Sequence, residues 1–150
     1  MPAIDVVSDA SVALKWFHAE GEEEVAPARA LLAGHRARTV SLSVLDLTRY
    51  ELGNALLRGR AAASAEQVAT VLEALAEVCP AIEPTNGDLH EAAALAEEHG
   101  LTFYDAAHAA VAGRRGAHLA TLDNELLRAQ LGQRPSELEE KIPPSGARPT

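Results

Sequence analysis

The sequence predicts a three-layer α/β/α fold with a short, mostly parallel central sheet. Short apolar, β-branched runs alternate along the chain with longer stretches of helical periodicity, which is the order expected of a parallel sheet covered by helices. Capping residues and glycines separate these runs. A length of 150 residues predicts one compact domain. The sequence contains no internal repeat and no Gly-rich phosphate loop.

Apolar spacing justifies each strand and helix of this prediction in turn. The short β-branched runs predict strands, and these runs span residues 3–8, 39–42, 81–83 and 117–121. The longer stretches carry apolar residues at helical intervals, and they span residues 10–18, 22–34, 44–58, 64–78, 88–99, 103–115 and 124–131. Strand and helix therefore alternate over most of the chain.

Capping signals set the expected helix ends. Gly34 suits the C-cap of the second helix. Ser43 and Asp46 form an S-x-x-D start, which predicts that the third helix begins near residue 44. Ser64 with Gln67 marks the start of the fourth helix in the same way.

The composition indicates a soluble globular protein, with 47% hydrophobic and 23% charged residues. Cys79 is the single cysteine, which excludes an internal disulfide, and no apolar run approaches a membrane span. The amino terminus lacks the features of a signal peptide, so we expect a cytoplasmic protein that does not contact a membrane. The domain is expected to cover residues 1–134, and the polar, proline-rich residues 135–150 form a C-terminal segment that is loose at its end.

Four carboxylates are expected to meet at one edge of the sheet. Asp9 follows the first strand, and Glu51 lies in the helix after the second strand. Asp105 and Asp123 lie at the starts of two later helices. Strand carboxyl ends and helix amino ends meet where α/β sheets bind ligands. Since no bases match these acids, the set predicts a divalent cation, and Mg²⁺ or Mn²⁺ prefers such oxygen ligands.

Each acid also has a structural interpretation. Asp9 and Asp123 are suited to be N-caps, and Asp105 can stabilise its helix through the macrodipole. Glu51 lies too far inside its helix to cap it and could be a half-exposed helical glutamate. The occurrence of all four acids together favours a metal site over four independent structural roles.

Weaker candidates flank the acids. His108 lies three residues after Asp105 on the same helical face, where it could relay a proton or support a ligand from behind. Arg58 and Lys15 could hold a phosphate, although a solvated helix face explains them equally well. The chain has few aromatic residues, and we expect most of them at core positions: Trp16, Phe17, Tyr50, Phe103 and Tyr104.

The net charge of −9, from 13 Lys and Arg against 22 Asp and Glu, argues at first against a nucleic acid partner. Phosphate binding is usually carried by a basic surface. The argument weakens if metal ions rather than lysines meet the phosphates. A basic peptide or protein is the other natural partner of an acidic pocket.

Four segments, in this order, resemble the PIN domain, and specifically the small toxins of the VapC type. They read VVSDASVALKWF, YELGNALLR, LTFYDAAHAAVA and LATLDNELL, and the resemblance extends to about Leu131. It implies that the catalytic and metal-binding residues are Asp9, Glu51, Asp105 and Asp123. Thr121 matches a hydroxyl often found two residues before the last acid, and His108 stands where the family often has an aromatic residue.

The resemblance implies a PIN-like fold and a Mg²⁺- or Mn²⁺-dependent endoribonuclease. Such a protein is the toxin of a type II toxin–antitoxin pair and cleaves cellular RNA, which arrests translation and growth. It also implies a homodimer that assembles with a VapB-type antitoxin. The alternatives are a housekeeping RNA-processing nuclease of the same fold and a non-catalytic regulatory or binding module. A phosphotransfer domain is disfavoured, because Asp9 is followed by Ala10 and Ser11 rather than by a second acid.

Overall fold

The computed structural model describes residues 2–19, 21, 23–60 and 62–144. The strands in this part of the chain are β1 Ile4–Ser8, β2 Val40–Leu45, β3 Ala81–Ile82 and β4 His118–Ala120. The helices are α1 Ala10–Phe17, α2 Val25–Arg36, α3 Asp46–Arg58, α4 Ala65–Val78, α5 Asn86–His99, α6 Phe103–Arg115, α7 Asn124–Arg128 and α8 Pro135–Glu139. The strands form one sheet in the order β3-β2-β1-β4, and each neighbouring pair is parallel.

Helices cover both faces of this sheet, which confirms the predicted α/β class. Val6 and Val7 are adjacent in β1 and point to opposite faces, because strand side chains alternate. Val6 belongs to a core with α1, α2 and α4, whereas Val7 belongs to a core with α5 and α6. Both valines are almost completely buried.

The strand order reverses next to β1, and this reversal positions the site. The chain adds β2 and then β3 on one side of β1 and places β4 on the other. Parallel sheets bind ligands at such a switch point, beyond the carboxyl ends of the two strands. Asp9 and Asp123 follow the carboxyl ends of β1 and β4.

Helix α2 continues through Gly34 to Arg36, so the prediction that Gly34 ends it is wrong. Gly34 is buried in the last turn, where a Cβ atom would lie 2.6 Å from Cγ2 of Val40. The glycine therefore lets the helix approach β2 closely. Its role is in packing rather than in capping.

Helix α3 begins at Asp46, so the predicted start near residue 44 is also wrong. Val44 and Leu45 pair with β3 and extend the strand beyond Ser43. The hydroxyl of Thr48 then accepts a hydrogen bond from the Leu45 backbone N–H at 3.2 Å. Strand pairing with a distant segment thus overrides the local S-x-x-D signal.

The sequence predicted no helix after residue 134, and α8 lies there. Leu138 is fully buried, and Ile142 packs against the same core. The Glu24 carboxylate accepts hydrogen bonds from the backbone N–H and the hydroxyl of Ser136. The predicted loose end falls largely on residues 145–150, which lie outside the described residues. Across the described ranges, no helix combines the length and apolar character needed to span a membrane.

Candidate functional site

The four predicted carboxylates line one small cavity at the carboxyl edge of the sheet. The cavity has a volume of about 150 Å³, and its other lining residues are Ala10 and Ser11. Four separate segments contribute one acid each: the end of β1, helix α3, the start of α6 and the loop after β4. No basic side chain lines this cavity among the described residues.

Asp9 is the most buried and the most constrained of the four acids. Its Oδ1 atom accepts hydrogen bonds from the Ser11 hydroxyl at 2.6 Å and from the Val12 backbone N–H at 3.3 Å. Its Oδ2 atom accepts a hydrogen bond from the Thr121 hydroxyl at 2.5 Å. Asp9 is therefore an N-cap of α1, as its structural interpretation predicted, and it also faces the cavity.

Thr121 links Asp9 to the start of α7. Its side chain is completely buried and donates to Asp9, while its oxygen accepts a hydrogen bond from the Asp123 backbone N–H at 3.0 Å. Ser11 makes a second link, because its oxygen accepts a hydrogen bond from the Leu122 backbone N–H at 2.9 Å. The ends of β1 and β4 are thus tied together beneath the cavity.

Asp123 caps α7 through one carboxylate oxygen. Oδ1 accepts hydrogen bonds from the backbone N–H groups of Glu125 and Leu126, at 2.9 and 3.1 Å. The capping interpretation of Asp123 is therefore confirmed. Because the cap uses Oδ1, the residue can line the cavity and cap the helix at the same time.

Glu51 and Asp105 have no such capping role. Glu51 lies in the second turn of α3, and its Oε1 atom is buried without a hydrogen-bond partner. Asp105 lies in the first turn of α6, where Thr102 is the N-cap and accepts the hydrogen bond from the Asp105 backbone N–H at 3.1 Å. Asp105 in the first turn of α6 is compatible with a macrodipole role, and Glu51 is a partly exposed helical glutamate, but the buried Oε1 atom of Glu51 has no hydrogen-bond partner.

Burial and mutual repulsion raise the pKa of both Glu51 and Asp105. For Glu51 the largest cause is burial, and the charges of Asp9 and Asp105 add to it. For Asp105 burial again contributes most, followed by the charge of Asp123. His108 acts in the opposite direction on both groups when it is charged. A cation in the cavity would reverse these effects, because an opposite charge favours the ionised carboxylates.

The donor set fits a hard divalent cation in its chemistry. The cavity offers carboxylate oxygens, one of them buried and without a partner, which is what Mg²⁺ and Mn²⁺ prefer. Among the described residues, no group of three or more His, Cys, Asp or Glu side chains is arranged to hold a metal ion. The fit therefore rests on the type of ligand and on the unpaired Glu51 oxygen.

The weaker candidates differ in their positions. His108 is 1% exposed, and its Nε2 atom lies 3.7 Å from Glu51 Oε1, so it belongs to the site. Lys15 lines a separate cavity of about 630 Å³, together with Arg134. Arg58 is exposed in the last turn of α3. Neither Lys15 nor Arg58 lines the carboxylate cavity.

The aromatic side chains contradict one expectation. Trp16 is buried, but Tyr50, Phe103 and Tyr104 are 68%, 45% and 57% exposed. The expectation that most aromatic residues occupy core positions is therefore wrong. Tyr50 and Tyr104 each precede a cavity carboxylate, in α3 and α6 respectively.

Sequence reasoning missed two residues that support the site. Ser11 contacts Asp9, and Thr48 contacts His108 across two helices. A hydroxyl two residues after a helix-capping aspartate was a signal for Ser11. Thr48 gave no local signal, because its partner lies 60 residues away.

A model of the PIN domain family matches residues 6–131 of this chain. Two curated proteins of Pyrobaculum aerophilum, Ribonuclease VapC3 and Exonuclease VapC9, are 38% and 40% identical to it over 89 and 92 residues. Each alignment covers 57% of this chain, and they cover 68% of VapC3 and 65% of VapC9. The aligned segments thus span about two thirds of the length of these relatives.

Solved structures share the fold over most of this chain. A crystal structure of a Pyrobaculum aerophilum protein is 26% identical, with a TM-score of 0.67, and the match covers 93% of this chain and 97% of the other. A toxin–antitoxin complex from Klebsiella pneumoniae gives a TM-score of 0.61 at 18% identity, covering 87% and 97% of the two chains. At that lower identity the likeness concerns the fold alone.

Proposed function

The chain belongs to the PIN domain family, and from this premise we propose that it is a metal-dependent endoribonuclease of the VapC type. It acts as the toxin of a type II toxin–antitoxin pair and cleaves phosphodiester bonds of cellular RNA, which arrests translation and growth. One observation carries the proposal. Four carboxylates from separate segments line one cavity that no described Lys or Arg side chain lines, and one buried oxygen, Glu51 Oε1, has no hydrogen-bond partner.

The four acids have two roles in this proposal. Asp9, Glu51 and Asp105 hold Mg²⁺ or Mn²⁺, and Asp123 acts on a second ion or through water. A bound ion of this kind lowers the pKa of a water and stabilises charge on the phosphate. Ser11 and Thr121 fix the orientation of Asp9 through hydrogen bonds to both of its oxygens.

Cleavage within a strand, rather than from an end, is supported by the exposure of the cavity. Glu51, Asp105 and Asp123 are half-exposed, and only Asp9 is buried. An internal phosphodiester can therefore reach the carboxylates without an RNA end being threaded through the protein. Cleavage from an RNA end is the competing hypothesis, because one curated relative is named Exonuclease VapC9.

The negative charge of the cavity supports a partner with a basic side chain. Four clustered acids attract a basic side chain when no metal is bound, so a VapB-type antitoxin is expected to place an arginine there. The VapC names of the two curated relatives support this assignment. The protein acts as a homodimer and as a toxin–antitoxin hetero-oligomer in the cytoplasm.

A circular single-stranded RNA and its linear form, of identical sequence, test the proposal. We expect the purified protein to cut both with Mg²⁺ or Mn²⁺ and neither with EDTA, since only an endonuclease cuts a circle. Asp105→Asn protein, purified identically, controls for contaminating nucleases.

Three outcomes would contradict the proposal in different ways. Cleavage of the linear form alone would indicate an exonuclease. Undiminished cleavage in EDTA would remove the metal mechanism. Binding of RNA without cleavage under any metal condition would indicate a regulatory module.

A further inference from the structure

Two helices that pack on different neighbours supply two of the cavity carboxylates. Helix α3, with Glu51, packs mainly on α1 and α4, whereas α6, with Asp105, packs mainly on α5. Both helices also contact the central sheet, α3 at β2 and α6 at β1, and a direct contact between the two helices would further fix their relative position. Within the described residues, one side-chain hydrogen bond joins the two helices, between Thr48 and His108 at 3.0 Å.

Both partners in this bond lie one helical turn from a carboxylate. Thr48 precedes Glu51 by three residues, and His108 follows Asp105 by three residues. Thr48 is 0% exposed and His108 1% exposed, so the bond is shielded from water. Breaking a buried hydrogen bond is unfavourable, because it leaves an unpaired polar group inside the protein.

The hydrogen-bond partners favour one tautomer of His108. Its Nδ1 atom lies 2.9 Å from the Tyr104 carbonyl oxygen, which can only accept, so Nδ1 carries the hydrogen. The Thr48 oxygen accepts from the Leu45 N–H, and the hydroxyl can still donate its own hydrogen to an unprotonated His108 Nε2. Nε2 is then an acceptor and offers no proton to Glu51 Oε1, 3.7 Å away.

We propose that His108 is a positioning residue that, through Thr48, holds Asp105 and Glu51 toward one cation and leaves the buried Glu51 oxygen free for it. The inference rests on the proposed function, because it assumes that the cavity binds a divalent ion. His108 touches neither the ion nor the RNA. Its effect is on the affinity for metal and on turnover, with the binding of RNA unchanged.

Nitrogen NMR of the metal-free protein tests the tautomer of His108 without an activity assay. We expect the His108 imidazole to carry its hydrogen on Nδ1, with an unprotonated Nε2, and His108→Gln to identify the resonances by their loss. Thr48→Val should shift the Nε2 resonance. A hydrogen on Nε2 would contradict the proposal, since that nitrogen would then face Glu51 as a donor.

Mn²⁺ titration, followed by electron paramagnetic resonance, tests the positioning role. Loss of groups that orient metal ligands commonly weakens metal binding about 10- to 100-fold. We expect Thr48→Val and His108→Leu each to weaken Mn²⁺ binding about tenfold, with the double variant no weaker than either, because they break the same bond. Thr48→Ser keeps the hydroxyl and should retain the parent affinity. In cleavage assays kcat should fall while KM for RNA stays constant.

Thr39→Val is the matched control. Thr39 is also buried, and its hydroxyl donates to the Gly34 carbonyl at 3.2 Å, away from the cavity. It should lose stability without losing affinity for Mn²⁺. If His108→Leu fails to fold, His108→Phe, which keeps a ring at this position, takes its place, because Thr48→Val also loses the hydrogen bond from the Leu45 N–H.

Two results separate the possible failures. Parent affinity for Mn²⁺ in folded Thr48→Val, with binding abolished in Asp105→Asn, would overturn the positioning role alone. A parent protein that binds no Mn²⁺ would overturn the metal site and this inference with it.

Discussion

Two regions of this molecule hold carboxylates that are fully or partly buried, and the pKa values of these carboxylates shift in opposite directions. In the α5–α6 hairpin, Asp88 is 3% exposed and receives two hydrogen bonds from Arg114, at 2.6 and 2.9 Å. Hydrogen bonding from Arg114 holds the pKa of Asp88 below its usual range. In the cavity at the sheet edge, burial raises the pKa of Glu51 and Asp105, and no base lines the cavity among the described residues.

The difference shows what each region is built to do. Asp88 also accepts a hydrogen bond from the Thr85 N–H in the capping box of α5, so its charge is fully used in holding two helices together. The cavity acids instead repel one another. An arrangement that gives up stability in this way is typical of a functional site.

The largest expected effect is on activity. Asp9→Asn, Glu51→Gln or Asp105→Asn should lower RNA cleavage at least about a hundredfold, because each removes a charged metal ligand. Asp88→Asn, assayed well below its melting temperature, should cleave RNA like the parent. Comparable losses from Asp88→Asn and Asp105→Asn would remove the distinction between the two regions.

The second effect is on stability, and its sign should differ between the regions. Asp88→Asn is expected to lower the free energy of unfolding by about 1–2 kcal/mol, since it breaks a half-exposed charged pair. Glu51→Gln or Asp105→Asn should leave the metal-free stability level or raise it by roughly 0.5–2 kcal/mol. Urea unfolding in EDTA measures both. A loss of stability in all three variants would mean that the cavity acids are structural.

The smallest effect is on the pH dependence of stability. Glu51 and Asp105 have raised pKa values in the folded protein, so the folded state holds protons that the unfolded state has already lost. The metal-free stability therefore falls as the pH rises from the usual carboxylate pKa, near about 4, through the raised pKa values. Asp88 has a lowered pKa, so its contribution is present above that range and is lost as pH falls through the folded value.

Urea unfolding from pH 3 to pH 7 should separate the two regions. We expect Glu51→Gln to differ from the parent most at the higher pH. Asp88→Asn should also differ there and converge with the parent in acid. Parallel curves for Glu51→Gln and the parent across the range would contradict the repulsion in the cavity.

Local signals predicted the elements that depend on local contacts. The Ser64 and Gln67 capping box begins α4 as predicted, and the helix predicted from residue 103 begins there, after its N-cap Thr102. The start of α3 was mispredicted because Leu45 pairs with a strand 37 residues further along the chain. Gly34 was mispredicted because its role is a close approach to Val40, which no local pattern reveals.

The candidate site also contains residues that local sequence predicts and contacts that depend on packing. The four acids could be predicted because each follows a strand or lies in a helix that begins at the carboxyl edge of the sheet, and the resemblance of the sequence to VapC-type toxins implied the same positions. Thr48 and His108 could not be paired from sequence, because their contact depends on how α3 meets α6. The exposure of Tyr50 and Tyr104 likewise depends on packing between distant elements.

The most direct test is the response of stability to Mg²⁺. Mass action stabilises a protein by about 2.7 kcal/mol at a ligand concentration one hundred times Kd. Melting curves with and without Mg²⁺ should show such a gain for the parent and for Asp88→Asn. The gain should be largely lost in Asp9→Asn, Glu51→Gln and Asp105→Asn, and reduced in Asp123→Asn. An equal Mg²⁺ response in the parent and all four cavity variants would contradict the account, and the acids would then be helix caps and surface residues only.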